Sequence, residues 1–192
     1  MTQPHQVPAV KTPLTHEKAA EAFWFAHQAV IGGPCETLLL ETLVIQWDVE
    51  TGAGRAMWND DMGNLRGHGP DGATMAIPGA NEIIDGKLVT VEAGFASFDT
   101  PEQGAEAMIR LLGTASHPPK PNRFQGAWEA AKRGDLLEYA RQLSEEVQGK
   151  GHAYFTANLQ VYQRGLISRR DRARRGVSNF LATLTPTTPE AS

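Results

Sequence analysis

The chain has 192 residues, 41% of them hydrophobic and 21% charged, with a formal net charge of −4 at pH 7. That is enough chain for one domain with a real core, and nothing in the overall charge calls for nucleic acid. A single cysteine, Cys35, excludes an intrachain disulfide framework, and no apolar run is long enough to span a bilayer.

Pro4, Pro8 and Pro13 predict a flexible or extended segment over residues 1–14, and this segment lacks the basic start and apolar centre of a signal peptide. A first helix is expected from His16 to Ile31, closed by Gly32-Gly33-Pro34. A second runs from Cys35 to Glu50. In it Leu39, Leu43, Trp47 and Glu50 recur at spacings of four, four and three, which puts them on one helix face. Thr51-Gly52-Ala53-Gly54 then forces the chain to turn, so a carboxyl group stands where the next core residue belongs. Burial against Trp47 and the leucines would disfavour its charged form and keep a proton available near neutral pH, which is the chemistry of a glycosidase acid. The plainer alternative is a solvated Glu at a frayed helix end. Cys35, beside Pro34, is read as a packing residue, since no base or acceptor site is recognisable near it.

Between Gly52 and Asp99, glycines with Pro70 and Pro78 break any long helix. Asp85-Gly86 separates Asn81-Glu82-Ile83-Ile84 from Lys87-Leu88-Val89-Thr90-Val91, a two-residue hairpin signal that sets Glu82 opposite Val89. Glu82 is thus either a second acid mounted on a rigid element or a solvated charge on an exposed strand face. Thr100-Pro101-Glu102-Gln103 carries a cap, a first-turn proline and a capping-box Gln, so a helix should run to about Leu112. Further helices are expected at Arg123 to Arg133, Asp135 to Gln148 and Leu159 to Leu184, with residues 185–192 as a flexible tail. The fold class is mainly α (α+β), one helical domain over residues 15–184 with a small β-hairpin lobe at about 74–98.

Gln46-Trp47-Asp48-Val49-Glu50-Thr51-Gly52-Ala53-Gly54, the polar loop Asn59 to Leu65 and the hairpin continuing through Phe95-Ala96-Ser97-Phe98-Asp99-Thr100-Pro101-Glu102-Gln103-Gly104 resemble, in order and spacing, the bacterial glucosaminidase family of peptidoglycan hydrolases, of flagellar-rod and autolysin type. Ala153-Tyr154-Phe155-Thr156-Ala157 with Tyr162 resembles the family's Tyr-x-Thr segment. The resemblance covers about Thr15 to Leu166 and implies a lysozyme-like fold. It implies Glu50 as the general acid for a β-1,4 glycosidic bond, Glu82 as a second acidic residue that activates water or supports an intermediate, and Tyr154 as a cleft aromatic that positions the sugar. Asn64, Phe95, Phe98 and Thr156 are the implied substrate-binding residues. The sequence departs from the family pattern at Ala53, Asp61, Gly63 and Phe98.

The activity so implied is that of an endo-β-N-acetylglucosaminidase, with a muramidase second, acting on peptidoglycan glycan strands at the cell wall or periplasm or in a target cell. Secretion, phage or envelope machinery is the implied carrier. The alternative is a non-catalytic wall-binding or assembly component built on the same fold. No cofactor is implied. The six histidines show no zinc spacing, so no metal site is expected. Asp48 falls off the Glu50 face and reads as a surface charge. The run Arg169-Arg170-Asp171-Arg172-Ala173-Arg174-Arg175 reads as a solvated helix end, without the interleaved aromatics that favour nucleic acid.

Overall fold

Side-chain caps and glycine stops set the helix ends. Thr15 accepts a hydrogen bond from the Lys18 N–H and opens α1 (His16–Val30). The second helix, α2 (Thr37–Thr51), closes on Gly52 in the left-handed conformation at φ 59°. Two residues on, Gly54 holds φ 77°, and a Cβ there would sit 2.6 Å from the Leu14 carbonyl oxygen, so only glycine fits the turn. Thr100 caps α3 (Pro101–Gly113) while the Gln103 side chain accepts from the Asp99 N–H. The computed structural model of the chain describes residues 3–77, 81–84, 87–90, 94–114, 122–149, 152–155 and 157–185, with backbone alone at 81–84 and 87–90.

The C-terminal half supplies α4 (Gln125–Lys132), α5 (Leu136–Leu143), the single turn α6 (Glu145–Gln148) and the long α7 (Leu159–Leu184). The segment expected as one helix from Asp135 to Gln148 is two, because the Ser144 backbone turns extended at ψ 166° and its hydroxyl donates to the Arg141 carbonyl. α1 packs on α2, α3 and α7, and α2 on α4 and α7 as well. With neighbours on several sides, α2 buries Leu40, Val44 and Ile45 in addition to the Leu39, Leu43 and Trp47 stripe. Its buried set also contains the polar Thr42, Gln46, Asp48 and Thr51. Phe23, Phe124, Met108 and Tyr139 complete the centre of the core.

The strands lie beside the helices as two small sheets. β1 (His5–Gln6) runs parallel to β2 (Ala73–Ala76), which pairs antiparallel with β5 (Gly94–Ala96). β3 (Asn81–Ile84) and β4 (Lys87–Thr90) form an antiparallel hairpin with Glu82 opposite Val89, the register expected from the sequence. Asp85-Gly86, the expected turn, lies outside the described residues.

The N-terminal segment takes the extended one of its two expected forms and is tied down along the fold. Residues 3–14 run extended and are hydrogen-bonded along their length: the Val7 N–H to the Thr74 carbonyl, the Val10 N–H to the Asn59 side chain and the Thr12 N–H to the Met57 carbonyl. Prolines prevent a helix there, but they leave enough N–H groups to add an edge strand.

A second correction concerns charge. Asp48, expected at the surface, has no exposed area; its two oxygens take the Arg169 and Arg172 side chains of α7, and Oδ2 lies 2.7 Å from His16 Nε2. Arg174 pairs with Glu41 at 2.9 Å. Three members of the basic run are therefore committed to α2. A carboxylate enters the core only with such partners, and they come from elements distant in sequence.

Candidate active site

Glu50 stands in the last turn of α2 and lines a cleft of about 390 Å³ between the helices and the strand-bearing lobe. Its carboxyl is held from one side. Tyr162 of α7 donates its hydroxyl to Glu50 Oε1 at 2.7 Å, and Gln46, one turn back on α2, donates its amide to the same oxygen at 3.0 Å. The Gln46 amide also reaches the Tyr162 hydroxyl oxygen at 2.6 Å, closing a triangle. Tyr162 is itself fixed by stacking on Phe155, ring centroids 3.7 Å apart and planes 8° from parallel. Burial pushes the Glu50 carboxyl up to about 7, and the Tyr162 hydrogen bond pulls weakly the other way. Both donors converge on Oε1, and Oε2 has no hydrogen-bond partner among the described residues.

The loop after α2 is wound tightly against this carboxyl. Ala53, Asn59, Asp60 and Asn64 all adopt positive φ, between 43° and 61°. Such backbone is costly for residues other than glycine and persists only where surrounding bonds over-determine it. Those bonds are present. Asn64 donates its amide to the Glu50 carbonyl at 2.6 Å. Asn59 ties the loop to the Val10 N–H, the Pro8 carbonyl and the Ser97 hydroxyl. Asp61, fully buried, accepts from the Gly63 and Leu65 N–H groups at 2.8–3.1 Å. Burial pushes the Asp61 carboxyl up to about 7, against those backbone hydrogen bonds, and the Glu50 charge adds to the rise. Asp61 thus shapes the loop from behind the cleft wall.

Four of the residues singled out from the sequence meet in this cleft: Glu50, Asn64, Phe98 and Tyr154. The Tyr154 hydroxyl donates to the Gly63 carbonyl at 3.1 Å, and its ring meets Phe124 edge-on at 6.1 Å. Burial, then the neighbouring Glu50 charge, holds the Tyr154 phenol well above its usual range, so it remains a hydrogen-bond donor.

Phe95 does not line the cleft. It is 8% exposed and covered by the Arg66 guanidinium, 4.7 Å from the ring centroid, while the next residue, Ala96, lines the cleft. Successive strand residues face opposite sides, so Phe95 and Ala96 cannot both point into it. The Glu82 side chain and Thr156 lie outside the described residues. Among the described residues Glu50 is the one acid on the cleft wall, and no cluster of potential metal ligands occurs.

Several site residues were not anticipated. Gln46 was detectable, because a residue four before Glu50 shares its helix face. Tyr162 entered through the resemblance around Tyr154, with no role attached to it. Arg66, His68, Leu111 and Arg123 also line the cleft, and each comes from a segment with no periodic or motif signal for such a role.

An acid-bearing helix end facing a small sheet, inside a bundle dominated by helices, defines a lysozyme-like α+β fold. No family model matches the chain, and no curated protein matches it. Among solved structures, the crystal structure of the catalytic domain of the autolysin Auto from Listeria monocytogenes is similar, with a TM-score of 0.54 at 17% identity, covering 86% of this chain and 89% of that one. At that identity the likeness is one of fold.

Proposed function

We propose that the protein is a peptidoglycan hydrolase that cleaves β-1,4 glycosidic bonds of the glycan strand, acting as an N-acetylglucosaminidase with Glu50 as its general acid. The observation that carries this reading is the Glu50 carboxyl, lining a cleft, raised to about 7 by burial and bonded only through Oε1 among the described residues. A carboxylic acid in that state donates a proton to a leaving glycosidic oxygen at neutral pH. The similar fold of an autolysin catalytic domain supports a wall substrate.

In this reading the glycan lies along the cleft with a glycosidic oxygen at Glu50 Oε2. Tyr154 and Asn64 border the reacting sugar, and Phe98 offers an apolar face to a ring. Departure of the leaving group requires a base or nucleophile on the other side of the sugar. Glu82, on the β3–β4 hairpin, is assigned that part, as an activator of water or support for an intermediate. The protein then acts at the cell wall, on its own cell or on a target.

The test is digestion of purified sacculi by the wild type and by Glu50→Gln, with borohydride reduction and mass analysis of the fragments. Reduced N-acetylglucosamine ends that vanish in the variant are the expected result. Reduced N-acetylmuramic acid ends would make the enzyme a muramidase. Sacculus binding without product release would replace catalysis by a wall-binding role.

A further inference from the structure

Two arginines stand on the wall of the cleft in an acidic protein. Around Glu50, the one acidic side chain of the cleft among the described residues, the wall presents Arg66, His68 and Arg123, whereas the chain as a whole carries a net charge of −4. Arg123 is the most informative of these. It is solvent-exposed, no carboxylate among the described residues pairs with it, and its guanidinium lies 4.5 Å from the centroid of the Phe124 ring, which holds it at the cleft wall.

Its position in the chain is costly. Arg123 directly precedes the N-cap of α4, where a positive charge opposes the helix dipole, and the first turn of α4 has no acidic residue to offset it. The Phe124 ring offsets part of that cost and fixes the guanidinium in place. An anion in the cleft would meet the guanidinium at its wall. Leu65, Leu111 and Phe98 give the lining apolar surface and Asn64 and Tyr154 give it neutral polar groups, so these residues offer a sugar ring contact but no charge.

Resting on the hydrolase reading for the identity of the substrate, we infer that Arg123 holds a carboxylate carried by the substituent on the glycan, so that the cleft selects carboxylate-bearing strands over plain N-acetylglucosamine polymers. The carboxylate has two sources in a wall polymer, the stem peptide and the lactyl group left when the peptide is removed. A bidentate Arg–carboxylate contact serves either, and it fixes the register of the strand against Glu50.

The experiment measures calorimetric dissociation constants for three soluble ligands of equal sugar number: a chito-oligosaccharide, a peptide-free glycan with free lactyl groups and a peptide-bearing glycan. The proteins are Glu50→Gln, to prevent turnover, and the same protein with Arg123→Gln added, each checked for an unchanged melting temperature. The expected result is binding about tenfold tighter to at least one carboxylate-bearing ligand than to the chito-oligosaccharide, a preference that Arg123→Gln removes and high salt weakens. Which carboxylate-bearing ligand binds tighter identifies the source. Equal weakening of all three ligands by Arg123→Gln, or a preference that survives it, overturns the inference. Release of reducing ends by the wild type is scored separately and reads the hydrolase proposal alone. A silent wild type with an Arg123-dependent preference would remove catalysis and keep the carboxylate site, and no binding of any ligand would overturn both.

Discussion

The Tyr162 hydroxyl donates a 2.7 Å hydrogen bond to Glu50 Oε1 across 112 residues of chain. It joins the long C-terminal helix to the end of α2 at the one carboxyl on the cleft wall among the described residues. A hydrogen bond to the charged form favours ionisation, whereas burial favours the protonated acid. Burial wins here, and the carboxyl titrates near 7.

Removing that donor should therefore move the titration upward. In Tyr162→Phe the Glu50 carboxyl loses a stabilising partner for its charged form, so the alkaline limb of the pH–rate profile shifts to higher pH. Stability falls by about 1 kcal/mol, the range for one lost hydrogen bond. A profile identical to the wild type would exclude Tyr162 as a tuner of the acid.

Glu50→Gln should abolish turnover and raise stability at alkaline pH. The folded carboxyl titrates at about 7, against 4.5 ordinarily, so the wild type loses stability from this group as pH rises from about 4.5 to 7. The neutral amide escapes that loss. Its advantage should reach about 3 kcal/mol at pH 8 and disappear below pH 4.5, by the 1.36 kcal/mol per pKa unit relation. Thermal melts of both proteins across that range measure it, and a variant destabilised at pH 8 would make Glu50 structural.

Catalysis by the same group has a matching signature. Activity should fall as pH rises through about 7, because the donor loses its proton. Initial rates on sacculi in constant-ionic-strength buffers read this directly. Rates that stay level to pH 9 would remove Glu50 from the acid role.

Asp48→Asn should be a damaging change away from the cleft. It leaves Arg169 and Arg172, partly open to solvent, facing a neutral group at the α2–α7 contact, and losing the charge that accepts their hydrogen bonds costs about 1.5–3 kcal/mol. Burial by itself raises the Asp48 carboxyl, but hydrogen bonds from His16 and Arg172 bring it below its ordinary value. Stability from this cluster is thus present above the unfolded carboxylate range and is lost as pH falls through the folded value. Chemical denaturation at neutral and acidic pH should show the difference between wild type and variant shrinking in acid.

Trp47→Ala tests the core beneath the site. Trp47 is fully buried, with its indole N–H on the Met57 sulfur at 3.3 Å and His16 edge-on at 5.2 Å. A large-to-small change there should cost about 3–5 kcal/mol, and urea titration measures it.

Local rules wrote much of this protein into its sequence. The 3.6-residue period of Leu39, Leu43, Trp47 and Glu50, the caps at Thr15 and Thr100 and the turn signal between β3 and β4 each act within a few residues. α7 accordingly runs from Leu159 to Leu184, and Glu82 pairs with Val89, as the sequence alone implies. What needed the tertiary structure was every outcome decided by a neighbour distant in the chain. Asp48 is buried because α7 brings Arg169 and Arg172 to it, and the proline-bearing N-terminal segment is ordered because β2 and Asn59 offer it partners. Phe95 turns from the cleft because the strand alternation puts Ala96 there instead. The proton on Glu50 belongs to the same class, since burial by the whole fold and one hydroxyl from α7 set its affinity, and neither is a property of α2.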